Sequence, residues 1–210
     1  MQDKAALRRH LRRQRIQLST AQRRHAQAQV CRLLKPLLRR GKNIGMYLAS
    51  GSELNISAIL PDAKRQGCHL YTPYIEPHQR RLWFTPYPAA PQHGQHVLNI
   101  LQYEGKKRRL EQLDIVLMPL IGIDKRGMRL GQGGGFYDTS LSFGRARQAL
   151  RIGIGLGAEG SGLHEIAVAI TRIPRRLGLG SRLGIRRLEL GAGQIAQRVG
   201  RCACRLARRL

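Results

Sequence analysis

The chain has 210 residues, 42% hydrophobic and 24% charged, and 38 Lys and Arg against 12 Asp and Glu give a formal charge of +26. That length holds one domain with a buried core, and the composition excludes a chain disordered throughout. Apolar stretches such as Ile115–Ile123, interrupted by Pro119 and Gly122, fall far short of the roughly 20 residues a membrane helix needs.

The first residues are polar and basic without the apolar centre of a secretory signal, so a cytoplasmic protein is expected. The charge itself is uneven. Residues 1–42 carry 13 Lys and Arg and one acid, residues 43–143 carry 11 and 8, and residues 144–210 carry 14 and 3. A nearly balanced middle is flanked by two basic ends.

Taken in order, Ala5, Leu7, Leu11 and Ile16 predict a helix with a sparse apolar face among arginines. Ser19-Thr20-Ala21-Gln22 offers a capping box for a second helix towards Arg40, bent or shortened at Pro36. Asn43–Leu48 reads as a buried strand, and Asn55 can cap a helix over Ile56–Gln66. Strands are expected at Cys68–Thr72 and Arg81–Thr85, with a long loop from Tyr87 to Gly105. Leu113–Met118 is hydrophobic almost throughout, as a central parallel strand should be, and Arg151–Leu156 is a candidate for the next. The alternation gives an α/β class, expected as a three-layer fold with a mostly parallel central sheet, flanking helices and basic N-terminal helices.

The last 67 residues contain no Phe, Tyr, Trp, Lys or Asp, yet hold 12 of the 24 glycines and 14 arginines. Two origins fit: a shifted reading frame on a GC-rich gene, or a basic tail for RNA or DNA. Cys31, Cys68, Cys202 and Cys204 lack zinc-ligand spacing and are expected as reduced thiols. The seven histidines, His93 and His96 in the loop among them, pair with no nucleophile and show no metal spacing.

Chemistry concentrates in Asp124–Asp138, which reads Asp-Lys-Arg-Gly-Met-Arg-Leu-Gly-Gln-Gly-Gly-Gly-Phe-Tyr-Asp between the best strand and a short helical pattern, Phe136–Phe143. Glycines at 131, 133, 134 and 135 free the backbone so that N–H groups can converge on an anion, and a helix start adds its positive end. Arg129 supplies a cationic fork for phosphate oxygens, and Asp138 a carboxylate for a divalent cation or for capping the helix. No Lys-Ser/Thr follows the glycines, which excludes a Walker A loop, and the loop stands too late for a dinucleotide fingerprint.

This segment, with Lys4-Ala5-Ala6-Leu7-Arg8 and Met118-Pro119 before it, resembles the 5-formyltetrahydrofolate cyclo-ligases (methenyltetrahydrofolate synthetases), from residue 4 to about Gly157. The resemblance implies ATP-dependent ring closure of 5-formyltetrahydrofolate to 5,10-methenyltetrahydrofolate, with ATP as co-substrate and Mg2+ as cofactor. It implies catalytic roles for Lys4 and Arg129, and ATP binding by Lys4, Arg8, Arg129, Leu130, Gly131, Gln132, Gly133, Gly134, Gly135, Phe136 and Tyr137. Leu48 and Glu53 would hold the pterin and formyl end, joined by Gln132 to Phe136, and Asp138 would bind magnesium. Tyr74, Trp83 and Phe84 could flank the folate as flat apolar walls, although aromatics in strands are more often core, and they are not counted among the site residues. A monomer without membrane attachment or a specific nucleic-acid partner is expected.

The resemblance stops near Gly157, where the family continues with a second acidic magnesium ligand; this chain has no Asp after Asp138. The chain therefore divides into a cyclo-ligase-like domain, 1–157, and a divergent Arg/Gly-rich segment, 158–210, expected to be poorly packed or helical by propensity. Two other functions stay open: a basic RNA-binding protein, and a nucleotide or folate binder whose catalysis is impaired by that ending.

Overall fold

A computed structural model describes residues 3–90, 100–123, 129–143, 149–156, 166–171 and 186–188. Asp3 starts the first helix, α1 (Lys4–Ile16), by accepting hydrogen bonds from the Ala5 and Ala6 N–H groups. The capping box then works as the sequence predicts: the Ser19 hydroxyl accepts from Gln22 N, and the Gln22 side chain accepts from Ser19 N. It opens α2 (Thr20–Leu34), which tightens into a single 3-10 turn, Lys35–Leu37, at Pro36.

Strands β1 (Asn43–Gly45), β2 (His69–Tyr74) and β3 (Trp83–Tyr87) follow, with α3 (Leu60–Arg65) between the first two. The helix expected over Ile56–Gln66 is split. Its start is a 3-10 turn, Ser57–Ile59, because Pro61 belongs in a first helical turn and so resets the helix there. Then come β4 (Arg108–Arg109), β5 (Ile115–Pro119) and a small hairpin of β6 (Gly122–Ile123) and β7 (Arg129–Leu130). Helix α4 (Phe136–Ser142) leads to β8 (Leu150–Leu156), β9 (Ile166–Thr171) and β10 (Arg186–Leu188).

The main sheet has the order β10-β9-β8-β5-β1-β2-β3-β4. Its four central strands, β8, β5, β1 and β2, pair in parallel, and antiparallel strands extend it on both sides. The described parts of the segment after Gly157 are thus strands, which corrects the expectation of helix there. Ile166-Ala-Val-Ala-Ile-Thr171 alternates β-branched and small residues and lies antiparallel to β8 over six residue pairs.

Every residue of β5 is buried, and alternate side chains enter opposite layers. Ile115 and Leu117 pack with Val30 and Leu34 of α2 and with Ile59 and Ala63 around α3. Val116 and Met118 pack with Phe84 and Leu110 and with Phe136, Tyr137 and Leu141 of α4. This period of two, with helices on both faces, is the physical content of the three-layer architecture. Helix α4 is held to the sheet by Ser140, whose Oγ accepts from Leu82 N at 2.8 Å.

Along the far edge, basic side chains lie on aromatic rings. Arg109 stands 3.2 Å from the Trp83 ring centre, Lys107 4.3 Å from that of Tyr74 and Arg108 5.2 Å from that of Tyr71. Phe84 is fully buried, in keeping with its reading as core.

Gly45 is where β1 passes the second core layer: a Cβ there would come within 2.7 Å of Leu113 Cδ1 and 3.0 Å of Phe84 Cε1. Gly45→Ala should therefore destabilise the fold by about 1–3 kcal/mol through overpacking. Urea unfolding would show a lower midpoint at unchanged slope; an unchanged midpoint would refute this account of the core.

Candidate active site

In an open α/β sheet the polypeptide leaves the layers at the carboxyl ends of parallel strands, and crevices form there. Here the ends of β1, β2 and β5 and the chain that follows them enclose a cavity of about 160 Å³. Tyr47, Leu48, Ser50 and Glu53 enter from the turn after β1, Pro73 and Ile75 from the end of β2, and Pro119 from the end of β5. The glycine loop and the first turn of α4 close the other side.

The loop is shaped by two glycines in left-handed backbone, Gly133 at φ 116° and Gly135 at φ 71°. Gly135 is the N-cap of α4, a position without side-chain capping here. Asp138, one candidate for that cap, lies instead in the first helical turn and accepts from Arg129 Nη2 at 2.5 Å. The Arg129 side chain is 14% exposed and the Asp138 side chain 66%; Arg129 Nη1 also donates to Pro119 O at 3.3 Å. Gly131 leaves room for this guanidinium, since a Cβ there would stand 2.8 Å from Arg129 Nη1.

Most residues singled out from the sequence converge on the cavity. Leu48, Glu53, Arg129, Gly131, Gln132, Gly133, Gly134, Gly135, Phe136, Tyr137 and Asp138 all line it. Arg8 reaches the loop from α1, its Nε donating to Gly131 O at 2.9 Å. Two stand apart. Leu130 is paired with Gly122 in the β6–β7 hairpin, and its carbonyl accepts from Ile121 N at 2.7 Å. Lys4 is exposed on the first turn of α1 and makes no hydrogen bond or ion pair among the described residues. Asp124–Met128, the start of the motif, lie outside the described residues, as do His93, His96, His164, Cys202 and Cys204. Trp83 and Tyr74 take no part in the lining.

Three contributors were not singled out from the sequence. Arg12 Nη2 donates to the Gln132 carbonyl at 2.9 Å and to Gln132 Oε1 at 3.0 Å. Arg15, 3% exposed, donates through Nη2 to the carbonyls of Leu120 and of Ile121, the latter at 3.1 Å. Tyr47 lies beneath the turn after β1, its hydroxyl donating to Leu54 O at 2.6 Å. The signal for the two arginines is spacing: positions 4, 8, 12 and 15 recur at helical intervals, so they share one face of α1. That stripe is masked by Arg9 and Arg13 on neighbouring faces.

The pocket is electrostatically divided. Glu53 Oε2 accepts from Ser50 N at 3.0 Å and Oε1 from Gln132 Nε2 at 2.9 Å. Burial nevertheless pushes its carboxyl above the ordinary 4.5, against the pull of those two hydrogen bonds and of Arg15 and Arg12. Burial also raises the phenols of Tyr47 and Tyr137, with Glu53 adding to both. The Tyr137 hydroxyl is buried without a hydrogen-bond partner among the described residues. Among the described residues no three His, Cys, Asp or Glu side chains gather as a metal cluster.

The sequence model of the 5-formyltetrahydrofolate cyclo-ligase family matches residues 1–161. A protein of Haemophilus influenzae named 5-formyltetrahydrofolate cyclo-ligase is 28% identical over 159 residues, covering 73% of this chain and 85% of its own. One of the same name from Escherichia coli K12 is 32% identical over 105 residues, 47% of this chain and 56% of that protein. The fold is that of the NMR structure of Aquifex aeolicus 5,10-methenyltetrahydrofolate synthetase, with TM-score 0.60 and 22% identity, covering 91% of this chain and 95% of that one. It is also similar to a 5,10-methenyltetrahydrofolate synthetase from Mycoplasma pneumoniae, with TM-score 0.57 and 24% identity, covering 76% and 91%.

The Glu53 environment sets a pH dependence. The folded chain holds this proton more tightly than the unfolded chain, so wild-type stability declines as pH rises from 4.5 through the folded value. Glu53→Gln has no such proton. In thermal melts its stability relative to wild type should increase as pH rises from 4.5. A difference that stays flat over that rise would contradict the assignment.

Proposed function

The chain belongs to the 5-formyltetrahydrofolate cyclo-ligase family, and we propose that it uses ATP to close 5-formyltetrahydrofolate to 5,10-methenyltetrahydrofolate. The observation that carries this reading is that Arg129, the glycine loop, Asp138 and Glu53 line one cavity, with Gln132 Nε2 donating to Glu53 Oε1 at 2.9 Å. A phosphate-binding element and a pterin-sized acceptor are thereby within reach of a single bound pair of substrates.

The chemistry is economical in what it asks of the protein. A formyl amide oxygen is a poor leaving group. Its attack on the γ-phosphorus of ATP forms a C–O–P linkage and releases ADP. The neighbouring folate nitrogen then attacks the formyl carbon, the C–O bond breaks, and inorganic phosphate departs with its electron pair. The nitrogen sheds its proton, and the five-membered ring is closed. Positioning and charge neutralisation carry both steps, so no covalent nucleophile is needed.

In this reading Arg129, Arg8 and Lys4 hold the phosphates, together with loop N–H groups from Leu130, Gly131, Gln132, Gly133, Gly134, Gly135, Phe136 and Tyr137. Glu53 accepts hydrogen bonds from pterin N–H groups, and Leu48 and residues 132–136 border the ring. Arg129 and Asp138 neutralise one another at 2.5 Å. In this reading the guanidinium would hold a nucleotide phosphate and the Asp138 carboxylate would hold a magnesium ion. Asp138 offers one exposed hard-oxygen donor of the kind magnesium takes. When bound, that ion would neutralise charge on the transferring phosphoryl group. The catalytic unit is proposed to end near residue 157, a reading supported by the family match ending at residue 161.

Purified protein with 5-formyltetrahydrofolate should form the methenyl product only with ATP, and faster with magnesium. Absence of product under these conditions overturns the reading. Arg129→Ala should lower kcat/KM by about 100-fold or more, the scale of losing one charge-stabilising group. Asp138→Asn should raise the magnesium concentration needed for half-maximal rate, whereas an unshifted magnesium dependence would remove Asp138 from the metal site.

A further inference from the structure

Gln132 occupies a junction that its position in a glycine run does not explain. Its side-chain amide lies between a cation and an anion: Oε1 accepts from Arg12 Nη2 at 3.0 Å and Nε2 donates to Glu53 Oε1 at 2.9 Å. A glutamine amide can in principle point either way. Reversal here would set its N–H groups against the guanidinium and its oxygen against the carboxylate, two repulsive contacts in place of two hydrogen bonds. Arg12 also donates to the Gln132 backbone carbonyl at 2.9 Å, so the guanidinium grips the residue at both ends. Arg12 itself is not part of the cavity lining. Its hydrogen bonds to the pocket run through Gln132.

We propose that Arg12 is a positioning residue: by holding the Gln132 amide oxygen, it aims the amide nitrogen at Glu53 and keeps that carboxylate an ionised acceptor for the N–H groups of a bound pterin. The inference rests on the folate reading for its ligand, but not for its geometry. A carboxylate that ionises is acceptor-only, whereas a protonated one presents a competing donor to the ring. Several groups act on this ionisation. Burial, the largest influence, opposes it; the Ser50 N–H, the Gln132 amide, and Arg15 and Arg12 of α1 favour it, and the phenols of Tyr47 and of Tyr137 in α4 also face the group. Among these, Arg12 acts twice, once by its own charge and once by setting the Gln132 hydrogen bond.

The test has two arms. In ligand-free protein, the Glu53 carboxyl carbon is followed by NMR after selective 13C-glutamate labelling, with Glu53→Gln identifying the resonance. Arg12→Ala and Gln132→Met should each raise the Glu53 titration midpoint by about 0.5 to 1 pH unit, and Arg12→Lys should restore part of the shift. An unchanged midpoint in both overturns the proposal, and Gln132→Met decides it alone if Arg12→Ala does not fold. In the kinetic arm, Arg12→Ala should raise KM for 5-formyltetrahydrofolate about tenfold, roughly the effect of one hydrogen bond to a charged group. KM for ATP should change less than about twofold. Equal effects on both substrates would make Arg12 a support of the loop as a whole and sink the proposal. Lack of turnover in wild-type protein would refute the folate reading instead, and the NMR arm would still decide the positioning role.

Discussion

A buried guanidinium anchors the N-terminal helix to the carboxyl end of the central strands. Helix α1 adds no residue to either apolar cluster; its one buried side chain is Arg15. That residue enters beneath the loop after β5 and donates to the carbonyls of Leu120 and Ile121. Gly155 on the neighbouring strand leaves the space, since a Cβ there would stand 2.6 Å from Leu120 O and 3.0 Å from Arg15 Nη2. Burial draws the guanidinium below its ordinary value while Glu53 opposes that shift, so part of the desolvation cost is offset from within the pocket. With this anchor in place, helical geometry carries Arg12 and Arg8 to the Gln132 and Gly131 carbonyls. The glycine-loop side of the pocket is thus tied to α1 by polar contacts.

A second property follows from charges that answer one another around the cavity. Arg129 pairs with Asp138, and Gln132 bridges Arg12 and Glu53. Arg129, Asp138, Gln132 and Glu53 thus already have partners of complementary polarity. Such pairing keeps half-buried charges from standing unsatisfied, and it gives each ligand something to displace. Binding energy is then the difference between two good arrangements rather than the gain of one over solvent.

The sheet centre was legible because it has one dominant cause. Ile115–Pro119 is apolar on both faces, which only a strand covered on both sides can be, and the capping box at Ser19 and the turn at Pro36 are similarly local. The glycine loop and Glu53 could be named from a motif, and they meet in space. What stayed hidden depended on long-range pairing or on competition among like residues. Arg12 and Arg15 differ from Arg9 and Arg13 only by the face of the helix they occupy, and that face acquires meaning from residues more than 100 positions away. The strands β9 and β10 were obscured by an Arg/Gly-rich composition, although Ile166–Thr171 has a strand's alternation once β8 lies beside it.

The basic side chains stacked on Trp83, Tyr74 and Tyr71 bear on how molecules of this protein behave towards one another. The sheet ends at β4, a strand of only two residues, Arg108 and Arg109. A foreign strand seeking to extend the sheet there would meet a very short ladder flanked by cations. It would also have to lift those cations off the aromatic faces they cover. Concentrated solutions of the protein are thereby guarded at this edge against strand-by-strand polymerisation, a protection supplied by part of the positive charge that dominates its composition.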